Sequence, residues 1–345
     1  LKSSIGAIQA GDRRALARAI SLIEDSRPEG RALLADAYRA TGRAHIIGVT
    51  GAPGTGKSSL VNVLAQAYRR NGQTVGIIAI DPSSPFSGGA LLGDRLRMND
   101  LAGDPGVFIR SMASRGSLGG LARATADVIQ LLDAAGFKRV LVETVGAGQS
   151  EVEIAGAAHT TIVVEAPGMG DEVQAFKAGL LEIADVLVVN KADREDADRT
   201  VLALQAMQAL ADSGLAMGHY GPQDSPRDEA GAQQDGGWLP PIVKTVAVTG
   251  AGVETLRSWI EAHAAYLRST GAYAERELVR AEHAVRHILS ERLTATLLAG
   301  LPAGLLESFI EEIVQRKLDP YSAADRLLSA NGRNAHRSTF PGEGE

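Results

Sequence analysis

His45-Ile-Ile-Gly-Val-Thr50 runs directly into Gly51-Ala-Pro-Gly-Thr-Gly-Lys57-Ser58, and this junction decides the fold. The apolar run reads as a buried strand, and the GxxxxGK[ST] pattern behind it reads as a Gly-rich turn that opens a helix. The glycines let the backbone curl so that successive N–H groups converge on phosphate oxygens, and the helix start adds its positive end. Lys57 is a point charge for the β- and γ-phosphates, and the Ser58 hydroxyl is a first ligand for Mg²⁺. The expected phosphate-binding set is therefore Gly51, Ala52, Pro53, Gly54, Thr55, Gly56, Lys57, Ser58 and Ser59. An ordinary strand–helix turn needs no Lys-Ser pair at this spacing.

Downstream of this junction, strands alternate with helices. The hydrophobic pattern predicts strands at 45–50, 74–80, 107–110, 139–143, 160–165, 185–190 and 242–247. Continuous apolar runs such as Thr74-Val-Gly-Ile-Ile-Ala-Ile80 mark strands buried on both faces. The expected fold class is α/β: a P-loop NTPase with a mostly parallel sheet covered by helices, plus N-terminal and C-terminal helical extensions. Residues 1–44 read as two amphipathic helices, the second starting near Pro28. Val285, Ile288, Leu289 and Leu293, then Phe309, Ile310, Ile313 and Val314, recur at helical spacing. The expected organisation is an N-terminal extension over 1–44, a nucleotide-binding domain over 45–268, a helical arm over 269–330 and a flexible tail over 331–345. A polar, Gly- and Pro-rich insertion at 213–241 interrupts the pattern before the last strand.

A phosphate loop does not name a base. Asn190-Lys-Ala-Asp193 does, because it follows the apolar run Asp185-Val-Leu-Val-Val189. Asp193 there accepts from the N1–H and exocyclic amine of guanine. Adenine presents the opposite pattern and leaves polar groups unpaired. Asn190 braces the loop, the Lys191 stem covers the ring face, and Val246 and Ala247 lie in the expected base-contacting segment. A helix-capping Asp in a surface turn is the competing reading of the bare tetrapeptide.

The metal side is read from acidic strand ends. Glu143 closes the run Val140-Leu-Val-Glu143, and Gly146 follows, placed to sense the γ-phosphate. Asp81 opens Asp81-Pro-Ser-Ser84, and Asp94 stands in Gly93-Asp-Arg-Leu-Arg97. Mg²⁺ keeps several waters, so Asp81, Asp94 and Glu143 do not all ligate it directly beside Ser58. Ser84–Ala90, Arg110–Gly120 and Ala166–Glu172 are polar or Gly-rich loops of the kind that a γ-phosphate orders. Arg97 and Lys177 are two candidates for transition-state charge, with surface ion pairing as the alternative for each. No glutamine directly follows Gly146, so slow intrinsic hydrolysis is expected.

Composition narrows the class. The chain has 345 residues, no cysteine and a formal net charge of −6. Without cysteine there is no disulfide framework, thiolate metal site or thiol catalysis. Without a basic stripe, nucleic acid is not an expected partner. No leader or bilayer-spanning run stands out, so no membrane association and a cytoplasmic location are expected.

Longer blocks carry a family resemblance. Asp81-Pro-Ser-Ser84, Gly93-Asp-Arg-Leu-Arg97-Met, Arg115-Gly-Ser-Leu-Gly-Gly120, Glu143-Thr-Val-Gly-Ala-Gly-Gln-Ser-Glu151 and Pro167-Gly-Met-Gly-Asp171-Glu occur in chain order. Together they closely resemble the MeaB-like chaperone GTPases of cobalamin mutases (the MMAA and ArgK type), a branch of the SIMIBI P-loop NTPases. The resemblance covers about residues 45–265. It implies a homodimeric GTPase that uses GTP/GDP and Mg²⁺ and acts with an adenosylcobalamin-dependent acyl-CoA mutase, and with its adenosyltransferase. The adenosylcobalamin is carried by the partner rather than bound alone. It further implies that Lys57, Ser58, Asp81, Asp94 and Glu143 serve phosphates and Mg²⁺. Switches are implied at 81–97, 143–151 and 167–177, with Asp171 and Lys177 in the third, and the C-terminal helices form a dimerisation arm. The chain departs from the pattern in its long 213–241 insertion and in the absence of a Ser-Ala pair near Thr245–Gly250. Two other readings stay open. One is a nickel-insertion GTPase, for which His283 and His287 at i, i+4 are the nearest thing to a ligand pair. The other is an ArgK-type kinase, against which the guanine-selective loop argues.

Overall fold

Strand β1 (His45–Thr50) is buried at every position and lies at the centre of the sheet, because its two faces serve two different cores. In the computed structural model, which describes residues 5–82, 98–101, 103–114, 123–144, 150–168, 181–212 and 237–337, seven strands form one sheet in the order β3-β2-β4-β1-β5-β6-β7. The others are β2 (Val75–Pro82), β3 (Val107–Ser114), β4 (Arg139–Glu143), β5 (Thr160–Glu165), β6 (Val186–Val189) and β7 (Ile242–Lys244). All neighbouring pairs are parallel, so every strand delivers its carboxyl end to the same edge.

The period of two divides side chains between the faces. Ile46, Ile78, Val140 and Val142 pack into one core with Leu16, Ile20 and Ile23 of α2 (Arg13–Glu24) and with α3 (Pro28–Ala37). The same core includes α5 (Arg123–Ala134) and α6 (Ser150–Ala157). Ile47, Val49, Ile77, Leu141 and Ile162 pack on the opposite face against α4 (Lys57–Arg70) and α8 (Val253–Thr270). Each such Leu or Ile removed from water contributes about 1.5–3 kcal/mol. Gly48 lets a helix approach the sheet: a Cβ there would lie 2.4 Å from Ile154 Cγ1. A third cluster places α7 (Ala197–Asp212) over β5 and β6 through Leu204, Val163, Leu187 and Val189.

The N-terminal segment holds α2 and α3 preceded by a short α1 (Ile5–Gln9), one element more than the periodicity predicts. The Asp12 carboxylate caps α2 by accepting from the Arg14 and Ala15 amides, and Pro28 opens α3.

Strand limits differ most from expectation at the ends of β3 and β7. β3 continues past Arg110 to Ser114 and absorbs Ser111–Ser114, which read as loop in sequence, because β2 extends beside it with Asp81 opposite Ala113 and Pro82 opposite Ser114. The polar Arg110 is tolerated there because α2 supplies Glu24 and Ser21 as partners. β7 stops at Lys244, and Thr245–Ala251 turns instead, with the Thr249 and Gly250 amides donating to the Val246 carbonyl.

The amino edge of the sheet holds a buried polar network. Thr160 Oγ1 lies 2.8 Å from both His45 Nε2 and His263 Nδ1, and Asp185 accepts two hydrogen bonds from Arg276. The remaining helices are α9 (Ala272–Ala299), α10 (Leu305–Val314) and α11 (Pro320–Arg337). The chain divides into two compact units, Leu1–Glu277 and Leu278–Glu345. In the second, Leu289, Leu293, Ile310 and Val314 are exposed. Among the described residues no helix is long and apolar enough to cross a membrane.

Candidate nucleotide site at the carboxyl edge

β1 ends at Thr50 and the chain turns at once through glycines that no other residue replaces. Gly51 has φ of +134°, and a Cβ on it would lie 2.1 Å from the Val164 carbonyl oxygen. Gly56 has φ of +91°, and its Cβ would meet Asn190 Nδ2 at 2.5 Å. Gly56 also begins α4 with no side-chain cap, so the amides of the first turn keep their affinity for an anion. Lys57 is buried along its stem, and its ammonium donates to the carbonyls of Gly51 (2.8 Å) and Ala52 (3.0 Å). The loop thus carries its cation against its own backbone, at the place where inward N–H groups and a triphosphate would meet. Thr55 Oγ1 closes the turn by donating to the Ala52 carbonyl at 2.9 Å.

One strand away, Val49 of β1 and Ala79 of β2 are both level with Glu143 of β4. This register carries the buried Glu143 carboxylate to the first turn of α4, where Ser58 Oγ donates to Glu143 Oε1 at 2.6 Å. A hydroxyl and a carboxylate held this close are hard oxygen donors of the kind that Mg²⁺ takes, and Mg²⁺ needs few protein ligands. Among the described residues, no group of three or more His, Cys, Asp or Glu gathers around a common point. The Asp81 backbone lies at the same edge, two residues beyond Ala79 on β2. Asp94, Arg97, Gly146, Asp171 and Lys177 lie outside the described residues, as do the side chains of Asp81, His283 and His287.

The Asn190–Asp193 turn is tied to the Gly51–Ser58 turn by two neighbouring residues, Asn190 and Lys191. Asn190, buried directly after β6, donates from Nδ2 to the Thr55 carbonyl at 2.8 Å. Its Oδ1 accepts from Thr245 Oγ1 at 3.2 Å and from the Ala247 amide at 3.1 Å. One side chain therefore joins the phosphate loop, the Asn190–Asp193 turn and the turn after β7. Lys191 adopts φ of +58°, and its ammonium donates to the Gly54 carbonyl at 2.6 Å. Non-glycine residues in this region are uncommon and concentrate at functional turns. Asp193 is exposed on the same turn, and Val246 lies beside Ala247 on the turn that Asn190 holds.

The fold therefore brings Gly51–Ser59, Glu143, Asn190, Lys191, Asp193, Val246 and Ala247 to one edge. Sequence reasoning passed over Thr245, whose hydroxyl braces Asn190. Its only signal is a hydroxyl directly after an apolar strand, a common feature of surface turns.

Comparison with known proteins identifies the family and the fold. The family described as "Methylmalonyl Co-A mutase-associated GTPase MeaB" matches residues 16–301. A Pyrococcus horikoshii protein named "Putative GTPase PH0274" is 46% identical over 325 residues, covering 93% of this chain and 95% of its own length. The "GTPase ArgK" of Escherichia coli is 42% identical over 207 residues, covering 59% of this chain and 62% of its own. The crystal structure titled "LAO/AO transport system kinase" aligns with a TM-score of 0.65 at 25% identity, covering 94% of this chain and 95% of that one.

Proposed function

The chain belongs to the MeaB family of methylmalonyl-CoA mutase-associated GTPases, and from that premise we propose that it is a Mg²⁺-dependent GTPase serving an adenosylcobalamin-dependent acyl-CoA mutase. In this role it gates loading of adenosylcobalamin onto the mutase and protects or reactivates it, the cofactor being carried by the partner. The observation that carries the nucleotide half is the Asn190 bridge, which binds a phosphate-binding loop to a loop with guanine-selective chemistry. The family description supports the partner half.

The reaction is attack of water on the γ-phosphorus of GTP. A new P–O bond forms, the bond to the β–γ bridging oxygen breaks, and GDP and phosphate leave with release of a proton. The loop amides of Gly54–Ser58 orient the phosphates, and Lys57 stabilises charge that develops on the leaving oxygen. Ser58 and Glu143 would hold Mg²⁺, which when bound neutralises charge shared by the β- and γ-phosphate oxygens. Asp193 selects the base, while Asn190 keeps base and phosphate loops at a constant spacing. Asp81, Asp94, Gly146, Asp171, Arg97 and Lys177 complete the proposed site. The reading includes slow turnover alone and acceleration by the mutase. It also includes homodimerisation through the C-terminal helices, which their exposed Leu289, Leu293, Ile310 and Val314 support.

The test is GTP turnover by the full chain with and without a purified adenosylcobalamin-dependent acyl-CoA mutase. Acceleration with GTP and not with ATP is expected. Equal rates with and without mutase exclude the partner role, and equal use of ATP excludes the guanine site.

A further inference from the structure

The two strands that carry the phosphate loop and Glu143 are joined once more beyond their backbone ladder. The Thr144 amide donates to the Val49 carbonyl at 3.0 Å, and Thr144 Oγ1 donates to Thr50 Oγ1 at 2.9 Å. Both hydroxyls are fully buried, with relative exposures of 0% and 1% for Thr50 and Thr144. Thr50 is the residue before Gly51, and Thr144 is the residue after Glu143. The hydroxyl bridge is thus the rung nearest the site, placed where the chain leaves β1 for the phosphate loop. Its neighbour in sequence, Glu143, meets Ser58 of that loop's helix at 2.6 Å.

We propose that Thr144, through its hydroxyl bridge to Thr50, is a positioning residue that sets the Glu143 carboxylate against Ser58 for Mg²⁺. This rests on the nucleotide reading above and adds to it a residue outside the phosphate, base and metal sets proposed there. The physical reason is geometric tolerance. Mg²⁺ demands near-ideal octahedral geometry, and a ligand's supporting hydrogen bonds govern its alignment. A backbone ladder alone holds the strand end along one direction. The buried hydroxyl pair adds a cross-link through side chains, and its loss lets the Glu143 end of β4 shift relative to α4.

The experiment uses the full chain as wild type, Thr144→Val, Thr144→Ser and Thr50→Val. Release of fluorescent GDP is followed against free Mg²⁺ concentration, and GDP affinity is measured separately in EDTA. Thr144→Val and Thr50→Val keep the side-chain shape and remove the bridge. Both should raise the Mg²⁺ concentration at half effect about tenfold, the lower end of what lost supporting contacts cost a metal site. GDP affinity in EDTA should stay at the wild-type value, and Thr144→Ser, which keeps the hydroxyl, should restore the wild-type midpoint. An unshifted midpoint in Thr144→Val, or equal loss of GDP affinity in EDTA, overturns the assignment. A wild-type chain that binds no GDP overturns the nucleotide reading and this inference with it, and one that binds GDP but whose GDP release ignores Mg²⁺ overturns the metal role of Ser58 and Glu143 and this inference. A responsive wild type with an unshifted Thr144→Val overturns this inference alone.

Discussion

The side-chain amide of Asn190 donates to the carbonyl of Thr55 at 2.8 Å, joining two loops 135 residues apart in the chain. Removing it in Asn190→Ala takes away that bond and leaves Thr245 Oγ1 and the Ala247 amide without their acceptor. A buried polar group that loses its partner costs about 1–3 kcal/mol. We expect GDP affinity to fall by about ten- to a hundredfold, with helix content by circular dichroism unchanged. Wild-type affinity in this variant would show that the bridge is not coupled to binding.

Asp193→Asn probes base choice without touching the phosphates. In the proposed site the carboxylate accepts from N1–H and the amine of guanine, whereas an amide donates on one side. Xanthine carries a carbonyl where guanine carries the amine, so the variant should lose GDP affinity and gain XDP affinity. Competition of both nucleotides against fluorescent GDP reads the ratio. Because Asp193 is exposed, the melting temperature should move little. An unchanged ratio places the base elsewhere.

Lys57→Ala removes the cation that lies on the Gly51 and Ala52 carbonyls. We expect loss of measurable GTP and GDP binding by calorimetry, since no other described side chain brings a positive charge to those two carbonyls. Heat equal to that of wild type would refute the phosphate-loop assignment.

Acid should weaken the sheet's amino edge. Burial, the first cause, holds His263 down to about 4, although Asp185 pulls the other way. Burial also holds His45 well below the usual imidazole value, with the charges of His159 and Arg139 adding to it. Both folded values lie below the unfolded one, so the unfolded chain binds more protons as pH falls. The stability is therefore complete above about pH 6.5 and declines from there toward pH 4, at up to about 1.4 kcal/mol per pH unit for each group. Urea unfolding at pH 7.5 and 5.5 should show the drop. His263→Gln, which cannot charge, should flatten the slope. A variant slope as steep as wild type would assign the effect to other groups.

Much of this protein was legible one residue at a time. A buried strand running into Gly51–Ser58 has few conformations open to it, because φ above zero at Gly51, Gly54 and Gly56 and an uncapped helix start follow from local chemistry. The apolar runs fixed six of the seven strands to within a few residues, since a strand covered on both faces has no polar alternation to obscure it. β3 was misread beyond Arg110 for the opposite reason: Ser111–Ser114 carry no continuous apolar run, and what makes them a strand is the parallel ladder with β2 through Pro82, which no local pattern reveals.

What tertiary structure alone decided is register and therefore distance. Residue order says that Glu143 ends a strand. Only its position level with Val49, in a sheet ordered β3-β2-β4-β1-β5-β6-β7, puts its carboxylate on Ser58. The Thr50–Thr144 bridge and the three-way grip of Asn190 arise in the same way, from strands distant in sequence and adjacent in space. Local conformational preference acts within a few residues and so is written in the sequence. Pairing between strands is settled by how two cores fill simultaneously, and that is a property of the whole sheet.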